Sequence, residues 1–167
     1  LYQLGMSQYT SADSLKNLGE NITEITGIPI QYYVKVDFHG FEKMVDDLGG
    51  VDVIVESDIY DTTYPVGETG RVETFALEAG PQHLDGEKAL KYARSRHGAG
   101  DGDFGRARRQ QQLLFAMKEK ALSLNILNDA GKIQDLYSSI SESIETNLSL
   151  AEIIELGKLA KELGKES

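Results

Sequence analysis

The arginines of this chain are concentrated in one short segment. The sequence has six arginines, and five of them fall between positions 94 and 109: Arg94, Arg96, Arg106, Arg108 and Arg109. Arginine is suited to hold phosphate through paired hydrogen bonds, and like charges side by side are unfavourable unless an anion compensates them. The segment therefore predicts a site for an anion with two phosphates, and phosphoryl transfer is the reaction that fits such a site. The alternative is a solvated helix face, as charge runs usually are.

Spacing selects four side chains from this segment. Arg94 and Arg96 are two apart, so they share a face of an extended segment, and both converge on one anion if the preceding helix ends near Tyr92. Arg106 and Gln110 are four apart and share one face of a helix, within the first turns, where the helix dipole also favours an anion. We therefore assign the binding of an anion with two phosphates to these four side chains.

The other polar residues of the segment receive lesser roles. Asp103 is expected to cap the long helix and to orient Arg106. We expect Arg108 and Arg109 to face solvent or to pair with surface acids. The sequence has no P-loop, no nucleophile elbow and no cysteine, and it shows no obvious carboxylate cluster for a divalent metal.

Composition limits the classes of function. The formal net charge is −10, while residues 88–109 hold seven cations and two acids. Because phosphate contacts provide most of the affinity for nucleic acid, such an acidic chain is not expected to bind it. The 167 residues fit one domain, 1–167, and no apolar run has the length of a membrane span.

Helices and strands that alternate along the chain predict an α/β fold. Two strands are expected, at 30–36 and 51–55, with a third, short one at 75–77 and a long loop or hairpin at 56–73. Helices are expected near residues 12–26, 38–48, 85–92, 104–124, 133–144 and 150–163. Two strands make a thin sheet for this many helices, so we expect further strands on the N-terminal side.

Several motifs, in order along the chain, resemble the LytR-CpsA-Psr family. They are YVKVDFHGF at Tyr33 to Phe41, VDDLGGVDV at Val45 to Val53, GPQHLDGEKAL at Gly80 to Leu90, YARSRH at Tyr92 to His97, and DGDFGRARRQQ at Asp101 to Gln111. The last two together are highly specific, and the resemblance covers nearly the whole chain.

The resemblance implies a three-layer α/β/α sandwich with a mixed central sheet and a hydrophobic pocket for a polyprenyl tail. It implies transfer of a glycopolymer, such as teichoic acid or capsular polysaccharide, from a polyprenyl-pyrophosphate carrier to peptidoglycan, on the extracellular face of the bacterial cytoplasmic membrane. The family's pyrophosphate-binding positions fall on Arg94, Arg96, Arg106 and Gln110. The resemblance implies that Arg94 and Arg96 are also the catalytic residues.

The chain also departs from the family pattern. The family's earlier strands are absent from this sequence, and with them the acidic ligands of Mg²⁺ (or Mn²⁺), so no metal ligand is assigned here. We expect those ligands, and a membrane anchor, to lie upstream. The alternatives to a transferase are a non-catalytic polyprenyl-pyrophosphate binding module and, with less support, a transcriptional attenuator.

Overall fold

The computed structural model describes residues 11–67, 70–95, 102–126 and 129–163. The helices in this part of the chain are α1 (Ser11–Thr26), α2 (Phe38–Asp47), α3 (Gly86–Arg94), α4 (Gly102–Ser123), α5 (Ala130–Ile140) and α6 (Leu150–Leu163). The strands are β1 (Val34–Val36), β2 (Val51–Val55), β3 (Ile59–Val66), β4 (Arg71–Leu77), β5 (Gly80–Leu84) and β6 (Ile144–Thr146). None of the described helices combines the length and the apolar character that crossing a membrane requires.

The mixture of helices and strands confirms the α/β class. The described strands form three antiparallel pairs, β1 with β6, β2 with β5, and the hairpin of β3 with β4. The pairing of β1 with β6 joins residues more than a hundred positions apart, with Val34 opposite Thr146. It therefore ties the N-terminal part of the described chain to the segment that enters α6.

The core lies between the sheets and helices α2, α3 and α4. In β2 the alternating residues Val51, Val53 and Val55 are buried, as expected for a strand with one face on the core. Tyr92 of α3 and Leu113 of α4 are almost fully buried in the same apolar cluster. This cluster fixes the two helices that carry the arginine-rich segment.

Helix α3 is held closely at its start. Asp85 caps it, because its side chain accepts a hydrogen bond from the backbone N–H of Lys88 at 2.9 Å. Gly86 packs directly on the backbone of Glu42, so that a Cβ atom at this position would collide with the Glu42 carbonyl. The Gly86 N–H also donates to Asp46 at 2.7 Å. These contacts hold the start of α3 against α2. Arg94 is the last residue of α3, so its position depends on this packing.

Helix α4 begins slightly earlier than its sequence predicted. It starts at Gly102, whose φ is 55°, so Asp103 lies inside the first turn and not at the cap position before Phe104. Helix ends are the least certain part of a sequence-based assignment. An acid in the first turn still complements the positive end of the helix dipole.

Candidate functional site

Arg94 is held between two aromatic rings at the end of α3. Its guanidinium carbon lies 4.1 Å from the centroid of the Phe38 ring and 5.4 Å from that of Tyr64. Its Nη1 donates to the Tyr64 hydroxyl at 3.3 Å. Rings attract a cation to their faces without using its N–H donors. Since a guanidinium has five such donors, this arrangement orients Arg94 and still suits it to an incoming anion.

A cavity of about 240 Å³ opens beside Arg94. Most of its lining is apolar and comes from α2, α3 and α4. Three polar residues also line it: Arg94 and Gln110 of the predicted site, and Asp37, whose side chain caps α2 by accepting from the Gly40 N–H. The apolar contributors include Phe38, Phe41, Leu90, Leu113 and Leu114. An apolar chamber with a few convergent polar groups is the usual form of a binding site for a small amphiphile.

A hydrogen bond to the backbone also holds Gln110 close to Arg94. Gln110 Nε2 donates to the carbonyl of Ala93 at 3.3 Å, which links α4 to the last turn of α3. Arg106 lies one helical turn before Gln110 and is partly exposed; its Nη2 is 3.2 Å from Asp103 Oδ1. Asp103 therefore pairs with Arg106, as the sequence predicted. Arg96, the remaining predicted site residue, lies outside the described residues.

The two arginines predicted to face solvent differ. Arg108 is exposed and its Nη1 is 2.6 Å from Glu56 Oε2, so this prediction is confirmed. The prediction for Arg109 is wrong: only 6% of it is exposed, and it donates to the carbonyls of Tyr92 at 3.1 Å and Ser95 at 2.6 Å. Its position contained the signal, because Arg109 precedes Leu113 by four residues and so lies on the same buried stripe of α4.

Sequence reasoning also missed the contribution of β3 to the site. Asp61 is 2% exposed and accepts a hydrogen bond from Ser95 Oγ at 2.8 Å. Tyr64, from the same strand, packs against Arg94. The available signal was an acid two residues after Ile59, at an inward position of an alternating strand, where a carboxylate needs a partner.

The surroundings of Tyr64 and Lys91 raise the pKa of both side chains. Lys91 Nζ lies 2.6 Å from a Glu73 oxygen and 2.7 Å from a Glu87 oxygen, and these hydrogen bonds, the one to Glu73 first, raise the pKa of Lys91. Burial raises the pKa of Tyr64, although Arg94 opposes this effect. Tyr64 therefore remains a neutral phenol that accepts from Arg94, and Lys91 remains a cation matched by two acids.

The described residues do not fit a resident divalent metal. No group of three or more histidine, aspartate or glutamate side chains in the described ranges is placed to hold an ion. Asp61 directs one oxygen to Thr63 and the other to Ser95, and Asp103 pairs with Arg106. We therefore assign no chemical step in this part of the chain to a metal.

Comparison with known proteins gives one family. The chain is 37% identical over 140 residues to the polyisoprenyl-teichoic acid–peptidoglycan teichoic acid transferase TagV of Bacillus subtilis (strain 168), covering 84% of this chain and 34% of TagV. It is 32% identical over 137 residues to TagU, of the same description, from Bacillus mycoides (strain KBAB4), covering 82% of this chain and 40% of TagU. The chain thus spans well under half the length of these curated relatives.

The structure agrees with this result. The crystal structure of B. subtilis TagV superimposes with a TM-score of 0.65 at 32% sequence identity, covering 86% of this chain and 51% of that chain. The sequence model of the LytR_cpsA_psr family matches residues 11–167, which include every described element and the cavity with Arg94 and Gln110. The chain therefore belongs to the LytR_cpsA_psr family, the LytR-CpsA-Psr family that its motifs resemble.

Proposed function

We propose that the protein is a phosphotransferase that moves a cell-wall glycopolymer from a polyprenyl-pyrophosphate carrier to peptidoglycan. The glycopolymer is of the teichoic acid or capsular polysaccharide type, and the reaction takes place at the extracellular face of the cytoplasmic membrane, where an upstream segment anchors the protein. Relatives at 37% and 32% identity are described as teichoic acid transferases.

One observation carries this proposal: Arg94 and Gln110 line an apolar cavity. A polyprenyl pyrophosphate has an apolar tail and a diphosphate head, and these two parts match the apolar lining and the polar side chains. Arg94 and Arg96 are the proposed catalytic residues, which bind the diphosphate and neutralise the charge that develops on it. Arg106 and Gln110 complete the diphosphate site, and Asp103 orients Arg106.

The metal requirement stays a prediction from the family resemblance. Mg²⁺ or Mn²⁺ would supply charge neutralisation at the phosphates when bound. The described residues offer it no ligand set, so the proposal for this chain depends on the arginines and the glutamine alone.

A thermal-shift titration with farnesyl pyrophosphate, a short polyprenyl diphosphate, tests the proposal. Saturation to about 100 times Kd stabilises a folded protein by about 2.7 kcal/mol. For a domain of this size, this corresponds to a rise in Tm of roughly 5–10 °C. We expect that rise in the wild-type chain and its loss in Arg94→Ala.

Arg108→Ala is the matched control. It removes another arginine from the same segment, but one whose guanidinium is exposed and paired with Glu56, so the shift should remain. A shift of equal size in Arg94→Ala would remove Arg94 from the site, and no shift in the wild type, with or without Mg²⁺, would contradict the proposal for this chain. Binding without turnover in a longer protein supplied with Mg²⁺, an acceptor and a glycan-loaded carrier would favour the non-catalytic binding module.

A further inference from the structure

Strand β3 contains a bulge directly beside the site. Its register with β4 shifts between Asp61 and Tyr64, and the buried positions are Ile59, Asp61 and Tyr64. In a regular strand, the residue two after Asp61 would face inward, but Thr63 is exposed and Tyr64 takes the inward place. Asp61 faces inward by its regular alternation with Ile59, and the bulge returns Tyr64 to the same face. Both side chains therefore face the end of α3, which matches the tendency of bulges to re-aim side chains next to functional sites.

The two oxygens of Asp61 serve different segments. Oδ1 accepts from the backbone N–H and from the hydroxyl of Thr63, both at 3.0 Å. Oδ2 accepts from Ser95 Oγ at 2.8 Å, and Ser95 is 1% exposed. A buried carboxylate is tolerated only where hydrogen bonds compensate for the water it has lost. One of these compensating bonds goes to the residue that follows Arg94.

Ser95 is fixed from three directions. Its N–H donates to the carbonyl of Lys91 at 2.9 Å, its own carbonyl accepts from Arg109 Nη2 at 2.6 Å, and its hydroxyl donates to Asp61. With φ −55° and ψ 132°, Ser95 is the point at which the backbone leaves α3. Ser95 therefore anchors the end of α3, next to the residue that carries the Arg94 side chain.

We propose that Asp61 is a positioning residue, which acts through Ser95 to hold Arg94 in the geometry that binds a diphosphate. The diphosphate in this statement rests on the proposed function. The role of Asp61 in holding Ser95 and the end of α3 does not depend on the identity of the ligand. Asp61 does not line the cavity, so it acts through another residue and not on the substrate. Tyr64 assists from the same bulge by accepting from Arg94 Nη1. A displacement of about 1 Å at such a site is enough to cost about a hundredfold in rate.

Asp61→Asn and Ser95→Ala test the role from both sides of the bond. Asparagine keeps the shape but has one acceptor oxygen for two sets of donors, and Ser95→Ala removes the donor. We expect each variant to bind farnesyl pyrophosphate at least about tenfold more weakly, which is about 1.4 kcal/mol. The double variant should be little weaker than either single one, because both remove the same bond.

Two comparisons separate positioning from general loosening of the fold. Farnesol has the same tail without phosphates, so its affinity should change by less than about twofold in all variants, whereas loosening would weaken both ligands equally. Thr63→Val is the matched control: it removes a hydrogen bond to Asp61 on the side away from Ser95 and should leave both affinities within about twofold.

Hydrogen exchange of the ligand-free protein tests the structural part by itself. We expect the Ser95 amide to exchange at least about tenfold faster in Asp61→Asn and Ser95→Ala than in the wild type. Unchanged exchange would overturn the positioning role, as would equal losses of affinity for farnesyl pyrophosphate and farnesol. If the wild type binds no farnesyl pyrophosphate while exchange at Ser95 rises in the variants, the proposed function fails and the role of Asp61 in holding this segment stands. If Asp61→Asn does not fold, Ser95→Ala decides the same question.

Discussion

Arg108 and Arg109 are adjacent in sequence but have opposite environments. Arg108 is paired on the surface with Glu56, whereas Arg109 is buried and donates to the carbonyls of Tyr92 and Ser95 at the end of α3. Arg109 thus joins α4 to the segment that carries Arg94. The orphan carbonyls at the end of a helix need such donors when water cannot reach them.

Arg109→Met is expected to destabilise the protein strongly. Methionine fills much of the same volume but leaves two buried carbonyl groups without their donor, at about 1–3 kcal/mol for each unsatisfied group. Urea unfolding followed by circular dichroism measures the change in the free energy of unfolding. Arg108→Met is the control, and because an exposed ion pair contributes about 0–1 kcal/mol, it should change little. Equal losses in the two variants would show that Arg109 does not have the structural role described above.

The residues of the site were predictable to different degrees. Arg94 and Gln110 were expected in one site, and both line one cavity. The spacing argument for Arg94 assumed a helix that ends near Tyr92, whereas α3 continues to Arg94, so residue type was the better guide there. Asp61 was not found, because residues 56–73 were interpreted as a long loop or hairpin, so the alternation of Asp61 with Ile59 was not used. Tyr64 was not found because the bulge falls between it and Asp61, and a sequence pattern of period two does not show where one residue is inserted. The environment of Arg109 was wrongly predicted because its residue type was given more weight than its place on the buried stripe of α4.

At the scale of elements, the close packing of α3 on α2 is what places the arginine segment. Gly86 lies against the Glu42 backbone with no space for a side chain. Gly86→Ala is therefore expected to destabilise the protein by about 1–3 kcal/mol, because a helix backbone must shift to admit the methyl group. The melting temperature, measured by differential scanning calorimetry, reports this loss.

Gly19→Ala is the matched control for that substitution. Gly19 lies within α1, and a Cβ atom there would meet only the Ile30 side chain, with its nearest contact at 3.4 Å. Alanine is favoured over glycine inside a helix by about 1 kcal/mol, so this variant should be neutral or slightly stabilised. If Gly86→Ala and Gly19→Ala had the same melting temperature, the close approach of α3 and α2 would be contradicted.

Sequence patterns missed the strands β5 and β6, which are stabilised by hydrogen bonding to a partner strand and not by a local sequence pattern. β5 begins with Gly80 and Pro81, two residue types that are unfavourable in strands. It is ordered by its antiparallel pairing with β2, which includes all five of its residues. β6 was included in a predicted helix that extended to Ile144, because its three residues are too few to show a period of two. Helices, whose apolar spacing is local, were found with errors mainly at their ends.

The charge of the whole molecule opposes one of the two alternatives, a transcriptional attenuator that binds DNA. The net charge is −10, and three described cations near the site are paired with acids: Lys91 with Glu73 and Glu87, Arg106 with Asp103, and Arg108 with Glu56. A DNA duplex presents one charge per about 1.7 Å and requires an extended basic surface. A compact diphosphate needs only the few groups beside the cavity.

We therefore expect no binding to DNA at physiological salt. In a fluorescence-anisotropy titration of a labelled duplex at about 0.15 M salt, where charges more than about 8 Å apart are largely screened, the signal should stay flat to about 10⁻⁵ M protein. Nonspecific DNA-binding proteins already associate near that concentration. The Glu56→Gln variant removes the ion pair between Glu56 and Arg108 and so controls for the matching of charges. It should also remain unbound, since the loss of one acid changes at most one phosphate contact. A saturable rise in anisotropy that weakens steeply with added salt would show a basic surface, and the attenuator would then replace the transferase as the function to test first.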